Sequence, residues 1–208
     1  MDLTTLQRVR HFLKVPTGKT EPDTLINQFI PQVSQAIERY LGREGLIQST
    51  ARIEYHDAEY GQMNLWLRAF PVTSIAEIAN DYDRAFAATS VVDAGNYVLY
   101  PNTGRVNFYK VALIGGPQVV RVTYTGGIAA NTAALVTAAP DLALACEMQV
   151  AFLFQRKNIL GSTGSSSQGG SISLDKPGGD GGAGAGLIPE VVGILEPFTR
   201  AYYGVGTV

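Results

Sequence analysis

The spacing of apolar residues changes period twice along the chain. In "DLTTLQRVRHFLKV", Leu6, Val9, Phe12 and Leu13 fall on one helical face, predicting a helix over 3–14 with Asp2 or Thr4 placed to cap its start. Pro16 ends it, and "TGKTEP" is a turn-rich connection. From Thr24, the positions Ile26, Phe29, Ile30, Val33, Ile37, Tyr40 and Leu41 recur at three and four residues, predicting a second helix over 24–41. Gly42 stands where glycine stops helices. Pro31 interrupts this run and should kink the helix or split off its first turn.

Between residues 50 and 128 the period shortens to two. "ARIEYHD", "MNLWL" and "SIAEIAND" are short, β-branched or aromatic, and bounded by turn residues. "NYVLY", "PNTG" and "RVNFYK" read as a hairpin. "QVVRVTYTGG" alternates Val120, Val122 and Tyr124 with Arg121, Thr123 and Thr125 before two glycines. Sequential short strands joined by tight turns predict an antiparallel sheet of five or six strands.

Helical spacing returns at Pro140, a favoured first-turn residue, and continues over 140–158. Apolar positions from Leu142 to Phe154 cover nearly the whole circumference, leaving Glu147 and Gln149 as polar interruptions. Such a helix is buried on most sides, at the centre of a bundle or at a subunit contact. A last helix over 190–202 faces Val192, Leu195 and Phe198 inward. The predicted fold class is α+β. Residues 1–49 and 129–208 form a helical bundle from both chain ends, and 50–128 form an inserted small antiparallel β-domain.

Composition narrows the functions open to this fold. At 208 residues the chain is long enough for a sizeable core, yet charged residues make up only 16%, below the roughly 25% of soluble proteins. Part of the exterior is therefore expected to be covered by copies or partners. The net charge of −2 gives no electrostatic footprint for gripping nucleic acid. One cysteine, Cys146, permits no internal disulfide and no metal-type spacing. No apolar run reaches the roughly 18 residues that span a bilayer, and the N-terminus lacks a signal-peptide shape. The expectation is a soluble protein that acts where it is made, or in a particle assembled there, with no membrane partner.

Motifs for chemistry fail on context. "GKT" at Gly18–Thr20 ends like a P-loop, but Leu13 stands where that loop needs its first glycine. "GDGGAG" at Gly179–Gly184 has dinucleotide spacing but lies in low-complexity sequence, not between a strand and a helix. Cys146, among Ala and Leu, reads as a buried hydrophobe, and His11 and His56 form no evident pair with it. Glu77, Asp81 and Asp83 offer a calcium cluster, against the plainer reading of solvated turn acids. The expectation is a non-enzyme without cofactor or metal.

The segment "GSTGSSSQGGSISLDKPGGDGGAGAG", Gly161–Gly186, separates the last two helices. Ordering so many glycines is costly, so it stays mobile or is ordered from outside the fold. On composition it is a linker. Within it, "SISLDKP" alternates Ile172 and Leu174 with serines, as a short strand does. A segment that adds a strand to a partner's sheet, or seats two side chains in pockets, has a use for that pattern.

The ordered set "LINQFIPQVSQAIERYLGRE", "LWLRAFPVTSIAEI", "VVRVTYTGG", "PDLALACEMQVAFLFQRKN" and "IPEVVGILEPFTRAYY" covers nearly the whole chain. It resembles the head–tail connector (adaptor) proteins of long-tailed bacteriophages in which a helical bundle carries an inserted β-domain. Pro31 and the length of the Gly/Ser segment depart from that pattern. The resemblance implies a structural virion protein of the neck, assembled in the host cytoplasm as a homo-oligomeric ring of twelve copies. That ring sits beneath the portal protein, extends the channel for double-stranded DNA without sequence-specific binding, and meets a stopper or tail-completion protein. In this reading 161–186 is an assembly arm. The candidate partner-binding residues are Ile172, Leu174, Asp175 and Lys176 in the arm, with Tyr202 and Tyr203 near the C-terminus. The rival reading is a β-domain binding module of the virion surface, a decoration or sugar-binding protein, with Tyr97, Tyr100 and Tyr109 exposed for stacking.

Overall fold

A computed structural model describes residues 2–48, 50–156, 164–167, 170–173 and 186–199. The fold is α+β and divides into two compact units. The helical unit is Met1–Gly42 with Thr132–Thr199, and the described part of the strand unit is Arg43–Asn131.

In the helical unit, α1 spans Leu6–Phe12 and α2 spans Asp23–Leu41. Pro31 does not divide α2, contrary to the expected break. The carbonyl it deprives of a donor belongs to Asn27, which is exposed, so water can satisfy it. Gly42 closes α2 in the left-handed conformation, φ 60°. Neither expected cap of α1 operates: Thr5 holds the N-cap position without a side-chain bond. Residues 2–4 are used for anchoring instead. The Asp2 carbonyl accepts from Thr132 Oγ1 at 2.6 Å, and Leu3 N donates to Ser34 Oγ at 3.0 Å. Leu3 is fully buried.

The helix expected from Pro140 is α4, Pro140–Arg156. A further helix precedes it: α3, Thr132–Ala138, which meets α4 at a bend of 113°. The sequence reading missed α3 because "TAALVTA" is too short and too evenly apolar to show a period, although its alanines favour helix. After the Gly/Ser segment, α5 runs Pro189–Leu195 and passes into one 3₁₀ turn, Glu196–Phe198. Val191 and Leu195 are its buried face. Among the described residues no single helix is long and apolar enough to cross a membrane.

Among the described residues the strand unit contains six strands, β1 Arg52–Ala58, β2 Asn64–Trp66, β3 Val72–Asn80, β4 Tyr97–Tyr100, β5 Arg105–Phe108 and β6 Gly116–Gly126. They form two three-stranded antiparallel sheets, in the orders β1-β6-β3 and β2-β5-β4, rather than one. The alternation read in β6 is real: Val120, Val122 and Tyr124 are buried while Arg121, Thr123 and Thr125 are half-buried. Both sheets contribute to one core, with Val122 and Ile78 from the first and Leu65, Val106 and Phe108 from the second. The two glycines that end β6 are required by close packing. A Cβ on Gly126 would lie 2.6 Å from the Ala69 carbonyl oxygen, and one on Gly127 (φ +115°) 2.5 Å from that of Gly45.

A buried polar knot joins the strands. The Tyr124 hydroxyl donates to Glu54 Oε1 at 2.6 Å and accepts from Ala69 N at 2.9 Å. Glu54 also accepts from Arg68 N at 3.2 Å and pairs with Arg52 Nε at 3.1 Å. His56 Nε2 lies 3.2 Å from Glu54 Oε2, off the line of a good hydrogen bond. Burial works to raise the Glu54 pKa, but the adjacent His56 ring, hydrogen bonds from Tyr124 and the Arg68 amide, and the Arg52 charge hold it below its ordinary 4.5. A carboxylate with a depressed folded-state pKa adds stability that is complete above its unfolded value and is lost as pH falls through the folded value. Acid titration monitored by circular dichroism should therefore show stability declining below about 4.5, with a flatter acid limb in Glu54→Gln. Tyr124→Phe, which strands the Ala69 amide, should cost about 1–3 kcal/mol at neutral pH.

Candidate docking arm and its anchors

The base of the Gly/Ser segment is built on α4. This helix buries Leu142, Ala143, Ala145, Cys146, Val150 and Ala151, and also Glu147 and Gln149. Two residues apart on a helix is about 200° around the axis, so these two polar side chains leave on nearly opposite faces.

Glu147 faces the N-terminal segment. Its Oε1 accepts from Thr4 Oγ1 at 2.8 Å and pairs with Arg8 Nε at 2.5 Å. Gln149 faces the chain where it returns from the arm. Its Nε2 donates to the Gly186 carbonyl at 3.2 Å, and its Oε1 accepts from Ile188 N at 3.0 Å. Gly186 turns with φ +76° and delivers Leu187, only 3% exposed, to the bundle. Val33 and Ala36 of α2, with Leu153 and Leu187, border a cleft of about 210 Å³ beside this re-entry point. A single side chain, Gln149, thus fixes both the carbonyl and the amide of the returning chain, as buried polar groups require.

Within the arm, two short strands pair antiparallel: β7, Gly164–Ser167, and β8, Gly170–Ser173. The backbone of Ile172 lies opposite that of Ser165. The strand suggested by "SIS" is thus present, and its pairing is with the arm itself. Leu174, Asp175, Lys176, Tyr202 and Tyr203 lie outside the described residues, as does "GDGGAG". Gln149 and Glu147 were visible in the sequence as breaks in an apolar helix. That they bind the two chain segments flanking the bundle was not.

The other chemical candidates are dispersed. Cys146 is buried with Sγ 3.7 Å from Ser34 Oγ, and burial pushes its thiol up to about 12, far from the thiolate a nucleophile needs. Glu77 is paired with Arg121 Nη2 at 2.5 Å. Asp81 accepts from the amides of Asp83 and Phe86 at 3.0 and 2.7 Å, so it shapes a turn. Among the described residues no three His, Cys, Asp or Glu side chains group to hold a metal. "GKT" lies in an exposed turn between α1 and α2. Tyr97 is half-buried against Phe108, 6.0 Å between ring centroids, while Tyr100 and Tyr109 are exposed, so the three tyrosines do not form the expected stacking platform.

A sequence model of the head completion protein family matches residues 2–177, and the chain belongs to that family. Its fold is shared with a chain in the neck of an empty gene transfer agent particle computed with C6 symmetry (TM-score 0.62, 19% identity, covering 95% of this chain and 89% of that one). It is also similar to a chain of the virion of a native gene transfer agent particle (0.60, 17%, 95% and 89%). A third likeness is to a chain in the neck of a native particle computed with C12 symmetry (0.56, 18%, 93% and 87%). Comparison with curated proteins gave no match.

If Gln149 holds the returning chain, Gln149→Ala should speed amide hydrogen exchange at Leu187 and Ile188. Global stability should fall by only about 1 kcal/mol. In the folded protein Cys146 should resist alkylation at neutral pH, and Cys146→Ala should cost about 1–2 kcal/mol.

Proposed function

We propose that this protein is a head-to-tail adaptor. Copies of the chain form a closed ring of twelve in the virion neck, below the portal protein, and extend the channel through which double-stranded DNA passes. The opposite side of the ring receives a stopper or tail-completion protein. The role is structural, not catalytic, and one helical domain made from both chain ends carries the strands as an inserted domain.

The observation that carries this reading is the built base of the arm. A spacer needs no fixed exit, whereas here the chain leaves α4 after Arg156 and is caught again by two hydrogen bonds to Gln149. A docking arm needs such a base, because its partner pulls against the point where the arm joins the fold. Family membership supports the head-completion role, and fold likeness to neck chains computed with C6 and C12 symmetry supports a ring. The low charge suits a surface covered by neighbours, and the net charge of −2 suits a channel in which DNA slides instead of being retained.

In the arm, Ile172 and Leu174 are proposed as anchors in pockets of the adjoining ring, with Asp175 and Lys176 beside them. Tyr202 and Tyr203 are proposed as a second contact. Each aliphatic anchor would contribute on the order of 1.5–3 kcal/mol of burial, repeated around the ring by avidity. The double variant Ile172→Ser with Leu174→Ser should unfold at the wild-type temperature, while particles accumulate as heads without tails in electron micrographs. Normal tailed particles from that variant would return the segment to the role of a linker.

A further inference from the structure

Strand β1 has one open edge. It pairs with β6 alone. Gln118 N donates to Asp57 Oδ1 on the β1 side, and the Val119 carbonyl accepts from Asp81 N on the β3 side. Even-numbered positions of β6 therefore turn their backbone toward β1. Their partners Arg52, Glu54 and His56 are the bonded positions, and Ile53 and Tyr55 between them turn their amides and carbonyls outward. Among the described residues nothing bonds to those outward groups. Ile53 is 56% exposed and Tyr55 47%, with the Tyr55 ring 5.7 Å from that of Phe86 between centroids. Edges are commonly guarded by charge, proline or brevity. β1 is seven residues long, holds no Pro or Lys, and buries Glu54 on its other face. It is a ready template for another strand.

The chain carries a segment suited to it. After Thr199 the sequence continues "RAYYGVGTV", 200–208, outside the described residues. From Ala201 onward it has no Asp, Glu, Lys or Arg. Placed in a strand, Tyr203, Val205 and Thr207 share one face, and Gly204 and Gly206 fall on the other. The first face is β-favouring and matches the uncharged, exposed pair Ile53 and Tyr55. The second carries no side chain, which suits the covered side of β1, where Glu54 already accepts from the passing Arg68 amide. Extended, these nine residues reach up to about 30 Å.

We propose that segment 203–207 of a second copy adds as a strand to the open edge of β1, with Tyr203, Val205 and Thr207 beside Ile53 and Tyr55. Main-chain bonds supply the affinity, and alternate side chains set the register. Because the segment and the edge are different surfaces, the contact is head-to-tail. Its repetition closes a ring when the rotation allows, and then no copy keeps a bare edge. The inference rests on the ring reading above and names the neighbour for the contact proposed there at Tyr203.

Paired cysteines in the full-length chain test the contact, since the buried Cys146 does not compete for oxidation. Tyr55→Cys is combined in turn with Tyr203→Cys, Gly204→Cys, Val205→Cys, Gly206→Cys and Thr207→Cys. Purified protein and intact particles are oxidised mildly and read on non-reducing gels. One of the odd-numbered partners should give a ladder of chains linked between copies, and neither glycine position should, because its side chain leaves on the other face. Ile53→Cys replaces Tyr55→Cys if the latter lowers the unfolding temperature. As a second readout, amide exchange at Ile53 and Tyr55 should slow at least about tenfold on association. Val205→Pro, which removes an amide facing the edge, should abolish that protection. Links only within one chain, a dimer from Tyr55→Cys alone, linkage without alternation, or no linkage in either preparation would each overturn the proposal. Particles separate this outcome from the larger reading. Normal necks without linkage would leave the ring standing and discard this contact. Linkage in solution by a protein absent from the neck would keep the contact and discard the adaptor role.

Discussion

The governing constraint in the helical unit is that α4 has to satisfy two buried polar side chains. Burying a carboxylate or an amide without partners costs several kcal/mol, more than a marginally stable domain can lose. Glu147 and Gln149 avoid that cost by bonding chain segments that are far away in sequence. Glu147 takes the hydroxyl of Thr4 and the guanidinium of Arg8. Gln149 takes the backbone at Gly186 and Ile188. Because they leave α4 on nearly opposite faces, the helix is gripped from both sides. Apolar packing alone is indifferent to small slips, whereas these bonds fix register.

Helix α4 runs to Arg156 and Gln149 holds the chain again at Gly186 and Ile188, so the helical unit is fixed on either side of the Gly/Ser segment. The strand unit is held by its own device. The Tyr124–Glu54 bond draws β6 and β1 together at the buried end of the alternation, and the Arg52 charge and the Arg68 amide help keep Glu54 ionised. Among the described residues each unit thus buries one carboxylate with a partner far along the chain, Glu147 with Thr4 and Glu54 with Tyr124.

The parts of this fold legible in the sequence are those set by local period. Strict alternation in "VVRVTY" placed β6, and three- and four-residue spacing placed α2 and α4, because burial on one face demands those periods. Cys146 among alanines and leucines read as a packing residue for the same reason. What escaped depends on tertiary partners. Thr4 looks like a cap, but Glu147 across the bundle competes for its hydroxyl. Pro31 looks like a breaker, but the carbonyl it orphans belongs to an exposed residue, Asn27. The division of six strands into two sheets is decided by pairing at long range, which period cannot reveal. Of the candidate site, the position of the arm was legible from composition and its anchor on Gln149 was not, since a hydrogen bond to Gly186 and Ile188 leaves no mark in the spacing.

The central claim is that this chain is a ring-forming component of the neck, and electron cryomicroscopy of intact particles tests it most directly. The account predicts a closed ring of twelve copies between portal and tail. In that ring the helical unit should keep its Gln149 anchor, and density for 161–186 should extend from each copy onto the adjoining ring. Copies spread over the capsid surface, or a neck in which no density fits this fold, would contradict it.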